Sequence, residues 1–168
     1  MTNTVLQEIA KQLKNYTGVK QVILANQKIP ESKLDRPRLV LDWNSRGGTN
    51  YPHTHIEKEK SFSEEDNKIT IERSTYFNYT LNIRLIGKEI DDYIYIEKAR
   101  DWFELPYLSD ETLRQFKGSV IEILAIDDLS SFSQTEYQFE YNLDIIINFG
   151  KYYEYDIDNI EEVNINGE

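Results

Sequence analysis

Two stretches of the chain alternate apolar and polar residues over unusual lengths. From Ile69 to Leu85, the residues Ile69, Ile71, Phe77, Tyr79, Leu81, Ile83 and Leu85 fall on odd positions, while Tyr76, Asn78, Thr80, Asn82 and Arg84 fall on even ones. From Tyr137 to Phe149, Tyr137, Phe139, Tyr141, Leu143, Ile145, Ile147 and Phe149 point one way. Glu136, Gln138, Glu140, Asn142, Asp144 and Asn148 point the other, with Ile146 as the lapse. A period of two predicts strands with one face in a core and the odd-numbered residues on that face. At about 3.3 Å per residue the first run reaches about 55 Å. A globule of this length is only about 40 Å across. The pattern therefore predicts a strand that bends or projects as an arm, and an arm with uncovered backbone finds its cover on a neighbouring subunit.

The remaining patterns predict helices and shorter strands. Thr4 with Gln7 makes a capping box, and Leu6, Ile9, Leu13 and Tyr16 recur at helical spacing until Gly18. Val19 to Ala25 and Arg38 to Trp43 read as short strands, separated by a polar loop in which Pro30 and Pro37 block helix. Residues 44–68 are polar and predict a loop, or a ribbon that orders on contact. Tyr95, Ile96, Ala99, Trp102 and Phe103 line a helix that stops before Pro106. Ser109 and Asp110 announce a third helix, with Leu113 and Phe116 inward and Gly118 at its end. Val120 to Ile126 reads as a buried strand, and Tyr152 to Ile165 as a last strand or two. The predicted class is α+β: a mostly antiparallel, twisted sheet with helices packed on one face and a long projecting β-arm. One domain is expected over residues 1–168, with 44–68 as a polar loop or arm.

Composition narrows the chemistry. The chain of 168 residues has no cysteine, which excludes disulfides, thiolate zinc sites and cysteine nucleophiles. No apolar run is long enough to span a membrane, and the first ten residues lack a secretory pattern, so a soluble protein made in the cytosol is expected. The formal charge of −11 argues against sequence-independent nucleic-acid binding. Plain solubility accounts for that acidity, and a like-charged wall would also let DNA slide past without sticking.

Candidate catalytic groups do not assemble. His53 and His55 would share one face of a strand as a metal half-site, yet neither a cysteine nor a third histidine completes it, and only Glu57 or Glu59 could help. They read as exposed loop histidines. Asp156 and Asp158 resemble a calcium loop, but Glu161 stands where its glycine is required, so a solvated turn is expected. Arg46, Gly47 and Gly48 lack the lysine and hydroxyl residue of a phosphate loop. No metal, cofactor or catalytic residue is predicted, and the chain reads as a non-enzyme. Twelve tyrosines suit protein interfaces as well as strands, and for Tyr76, Tyr152, Tyr153 and Tyr155 both readings stand.

The second half of the chain holds the helix ending Ala99, Arg100, Asp101, Trp102, Phe103, then Val120 to Leu124, Asp128 to Ser130, and Thr135, Glu136, Tyr137 with Asp144 and Ile145 downstream. Upstream, Arg36, Pro37 and Arg38 precede a short strand, and the arm ends Leu85, Ile86, Gly87. With these residues the chain resembles the neck or tail-terminator proteins of long-tailed bacteriophages, especially those of contractile tails and tail-like bacteriocins. Glu140 departs from the pattern, standing where family members often carry arginine. The resemblance implies a structural virion protein, assembled in the host cytoplasm, whose ring of six copies caps the finished tail tube, stops its polymerisation and joins the tail to the head connector. Partners would be further copies of the chain, the tube protein, the sheath protein and the connector, with DNA passing through the lumen unread and no membrane involved. Other neck or tail roles, as tube or head-completion protein, and a ligand-binding β module are the alternatives. On this reading Tyr76, Asn78, Thr80, Asn82, Arg84, Glu136, Gln138, Glu140, Asn142 and Asp144 form the subunit or tube interface, and Arg46, His53, His55 and Glu57 touch a neighbouring ring.

Overall fold

The computed structural model describes residues 2–25, 27–30, 33–44, 55–63, 68–133 and 136–158. Helix α1 (Thr2–Thr17) leads into strands β1 (Gln21–Leu24), β2 (Arg38–Trp43), β3 (His55–Ser63) and β4 (Lys68–Ile86). A 3-10 turn (Ile90–Tyr93) and helices α2 (Ile94–Glu104) and α3 (Pro106–Arg114) follow. Strands β5 (Gly118–Ile123), β6 (Asp127–Asp128), β7 (Ser131–Ser133), β8 (Glu136–Gln138) and β9 (Glu140–Asp158) complete the order. The fold is α+β, as the segregation of helical and alternating patterns predicts. The main sheet runs β1-β2-β4-β9-β5, with β3 also on β4 and β6 also on β9, and β7 and β8 form a separate hairpin. Only β1 and β2 are parallel among the registers described. Cross-strand contacts of Arg84 with Glu140, Asn82 with Asn142 and Asn78 with Asn148 advance along β4 while receding along β9, so these two are antiparallel as well.

The chain divides into two compact units: Met1–Thr49 with Asn78–Phe149, and Asn50–Phe77 with Gly150–Glu168. In the first, the odd-numbered alternation becomes the core. Leu81, Ile83 and Leu85 of β4 and Leu143, Ile145 and Ile147 of β9 are wholly buried, and Leu39 and Leu41 of β2 stand opposite Leu85 and Ile83. Helical stripes join them in one cluster: Leu6, Ile9 and Leu13 of α1, Ile96, Ala99, Trp102 and Phe103 of α2, and Leu113 of α3. Trp43, Tyr79 and Phe149 add a group of edge-on rings with centroids 5.7–6.0 Å apart.

Several local expectations give way to tertiary effects. Helix α1 begins at Thr2, which leaves Thr4 inside the helix, and Tyr16 is 38% exposed while Val5 takes a core place. Its end is as read: Gly18 has φ of 73° and its amide donates to the Lys14 carbonyl. Helix α2 stops at Glu104, and α3 starts on Pro106 itself rather than at Ser109, because a proline at the first helical position loses no hydrogen bond. The left-handed residue beyond α3 is Lys117, with φ of 57°, and Gly118 opens β5 instead. That strand is an edge with a bulge between Val120 and Glu122, so Ile121 is exposed where a buried strand was expected.

The second long strand is displaced along the chain. Tyr137 lies in β8, cut off from β9 at Phe139, and is 49% exposed rather than buried, stacked obliquely on Phe139. At its other end β9 runs on to Asp158, so Asp156 belongs to a strand and not to a turn. Within the polar stretch 44–68, residues 55–63 form β3, whose partner β4 supplies the ladder that the sequence of β3 does not advertise. Arg46, Gly47, Gly48 and His53 lie outside the described residues.

The second unit contains β3, residues 68–77 of β4 and residues 150–158 of β9. Glu57 forms an ion pair with Arg73 at 3.6 Å and accepts from the Tyr155 hydroxyl at 3.4 Å. The Lys151 ammonium sits 4.9 Å from the Phe77 ring centre. On the opposite side of the ribbon the Thr70 hydroxyl donates to Asp156 at 2.9 Å, and Tyr76 meets Tyr152 edge-on.

Candidate assembly surface

Because the odd residues of the first unit's sheet face the helices, the even ones must face away. Asn78, Thr80, Asn82 and Arg84 of β4 and Glu140, Asn142, Asp144 and Asn148 of β9 occupy that outer side, and each is exposed or half-buried. Strand register brings Asp42 of β2 opposite Asn82 and Asp127 of β6 opposite Asn142.

This polar face is ordered by its own cross-strand bonds. The Asn82 amide donates to the side-chain oxygens of Asn142 at 2.5 Å and Asp144 at 2.7 Å. Asn148 donates to Asn78 at 2.6 Å, and Arg84 reaches Glu140 at 3.3 Å. Glu140 is thus the intramolecular partner of Arg84. The Leu129 amide donates to the Glu140 carbonyl, and the Glu140 amide donates to the Ser130 hydroxyl, which ties the turn before β7 to the start of β9. Asp128 accepts from the Ser130 hydroxyl and amide, which holds its carboxyl below the usual range. Between these groups lies an open depression of about 390 Å³ lined by Asp42, Asn44, Asn82, Arg84, Leu129, Glu140 and Asn142. A shallow hollow of carboxylates and carboxamides is suited to matching a polar surface, and no nucleophile paired with a base lines it. Among the described residues no cluster of three or more His, Asp or Glu could hold a metal ion.

The residues expected at an interface do not all share this face. Asn78, Thr80, Asn82, Arg84, Glu140, Asn142 and Asp144 do. Tyr76 and Glu57 belong to the second unit. Gln138 is in the β7–β8 hairpin opposite Ser131, and Glu136 pairs with Ser133 in the same hairpin, its side chain outside the described residues. His55 opens β3, its side chain likewise outside the description, and Arg46 and His53 fall outside it altogether. Asp42, Asn44, Asp127 and Leu129 join the face from elements whose own sequences give no sign of it. Only the pairing register brings them there.

Nearly the whole chain matches a protein-family model. The model for phage neck terminator protein matches residues 7–168. The chain belongs to the phage neck terminator family. No curated protein matches it. The neck terminator family is one of structural tail and neck proteins of the virion, and it associates with other tail or head proteins. No helix among the described residues of this neck terminator is long and apolar enough to cross a membrane.

Proposed function

We propose that this neck terminator forms a ring, of six copies by the resemblance, that caps the tail tube, halts its polymerisation and links the tail to the head connector. The family match over residues 7–168 is the observation that carries the reading. The geometry supports it through the open polar face of the first unit. Its side chains are held in place before any partner arrives, so docking the last ring of the tube costs little further ordering entropy. Asn78, Thr80, Asn82, Arg84, Glu140, Asn142 and Asp144 are the proposed contacts. A face of carboxamides and carboxylates accepts a complementary polar ring without offering the tube protein's own next docking surface, and growth stops there. The chain's charge of −11 leaves DNA free to move through the lumen. Assembly takes place in the host cytoplasm, with the sheath protein as a further neighbour.

Adding the purified chain to growing tail tubes tests the reading. Tubes of uniform, arrested length are expected, and an Asn142→Lys, Asp144→Lys variant should lose arrest while keeping its circular dichroism spectrum. Continued elongation at stoichiometric excess of the unaltered chain overturns it.

A further inference from the structure

The second unit is a three-stranded ribbon in the order β3-β4-β9, and among the described residues neither β3 nor residues 150–158 of β9 has a strand on its outer side. Exposed edges are ordinarily blunted against indiscriminate pairing. Edge strand β1 of the first unit is four residues long and β5 is bulged. The β9 edge is free of proline, carries the charges of Lys151, Glu154 and Asp156, and is rich in Tyr152, Tyr153, Tyr155 and Ile157, all 41–54% exposed. The β3 edge is itself bulged between Glu59 and Ser61, and ahead of the bulge it carries charges of alternating sign, Glu57, Lys58 and Glu59, which favour a partner with matching charges.

The matching edge is on the other side of the same ribbon. The contacts of Glu57 with Arg73 and Tyr155, and of Thr70 with Asp156, sort the side chains by face. On one face β3 offers Glu57 and Glu59, and β9 offers Lys151 with the hydroxyls of Tyr153 and Tyr155. On the opposite face β3 offers Lys58, and β9 offers Glu154 and Asp156. Residue 57 is level with residues 153 to 155 across the ribbon, so a neighbour placed at the same height sets Lys58 beside Glu154 or Asp156. At that level the edges are complementary in charge on the Lys58 face, while on the other face Glu57 and Glu59 come beside the tyrosine hydroxyls. Antiparallel pairing of β3 with itself would instead set like charges opposite one another. A level register repeated by rotation closes on itself, whereas a shifted one climbs into a filament.

We propose that the outer edge of β9 residues 150–158 takes β3 of a second copy of this chain as a parallel strand, with Lys58 against Glu154 and Asp156, and that this pairing joins neighbours around the ring. The inference rests on the ring reading above and names its subunit contact. The natural absence of cysteine permits a direct test on the full chain. Lys58→Cys with Glu154→Cys, and Lys58→Cys with Asp156→Cys, are oxidised with copper phenanthroline. Within one ribbon β4 separates these positions by two strand spacings, about 10 Å, beyond the reach of about 7 Å between Cα atoms of a disulfide. Covalent oligomers ending at a closed ring are therefore expected from at least one pair. Lys58→Cys with Glu72→Cys, directly opposite in the β3–β4 ladder, should close within the chain and reports folding. In parallel, Lys58→Glu should weaken self-association by about tenfold or more, and adding Glu154→Lys and Asp156→Lys to it should restore association. Rings that form without intersubunit crosslinks, or that ignore Lys58→Glu, overturn the strand pairing and leave the ring standing. A folded chain that forms no ring, alone or on tail tubes, overturns both.

Discussion

Leu143, Ile145 and Ile147 are wholly buried, whereas Asn142, Asp144 and Ile146 between them are half-exposed, so neighbouring residues of one strand carry unrelated tasks. Ile145→Ala should cost about 2–5 kcal/mol, since the helices packed over it cannot collapse fully into the void. Urea unfolding checks it. Two glycines separate two physical reasons for having no side chain. At Gly18 a Cβ would meet open space, so Gly18→Ala should cost only the backbone strain of its positive φ, about 1 kcal/mol. At Gly118 the Cβ would fall 2.6 Å from the Phe149 ring, and alanine should destabilise more than at Gly18 in the same assay. In the ribbon, the Tyr152 hydroxyl is held above its ordinary range, first by its hydrogen bond with Tyr76, then by burial and by the charges of Tyr76 and Glu72. A raised folded-state pKa contributes stability that is complete below the unfolded value near 10 and is lost as pH rises through the folded one. Tyr76→Phe should therefore bring tyrosinate formation at Tyr152 to lower pH, followed by ultraviolet titration.

At the scale of elements, the alternation identified the core face of β4 and β9 before any partner was known. The fully buried residues 81, 83, 85, 143, 145 and 147 are all odd, because a pleated strand has no other way to present apolar groups to one side. The amphipathic stripes of α1 and α2 were equally legible, since Leu6, Ile9 and Leu13 and then Ile96, Ala99 and Trp102 return every three or four residues. Strand β3 was not legible. Its residues His55 to Ser63 are polar or charged apart from Ile56 and Phe62, and a strand of that composition forms only through the ladder that β4 offers. The same dependence explains the candidate face: Asn82 and Asp144 are far apart in sequence and meet through strand register. The Arg84–Glu140 pair is exposed, so removing it with Arg84→Ala should change stability by only about 0–1 kcal/mol. A larger loss in tube capping than in unfolding free energy would separate its assembly role from its structural one.

For the whole molecule, charge governs encounters. With a formal charge of −11 the chain should leave duplex DNA unbound in fluorescence anisotropy at about 0.15 M salt. Sequence by itself determined the α+β class, the inward face of β4 over residues 81–85 and of β9 over residues 141–149, the end of α1 at Gly18 and the stop of α2 before Pro106. Each of these follows from short-range stereochemistry, in which a residue and its neighbours within a turn or a pleat suffice. It also carried the family, through residues spread along most of the chain. Tertiary structure alone decided that β9 starts after Phe139 and runs to Asp158, that β5 is a bulged edge, that residues 55–63 form a strand, and that Asp42 and Asp127 share a face with Asn82 and Asn142. Those features depend on which strands become neighbours and in what register, a choice made by packing between segments many tens of residues apart that no local pattern encodes.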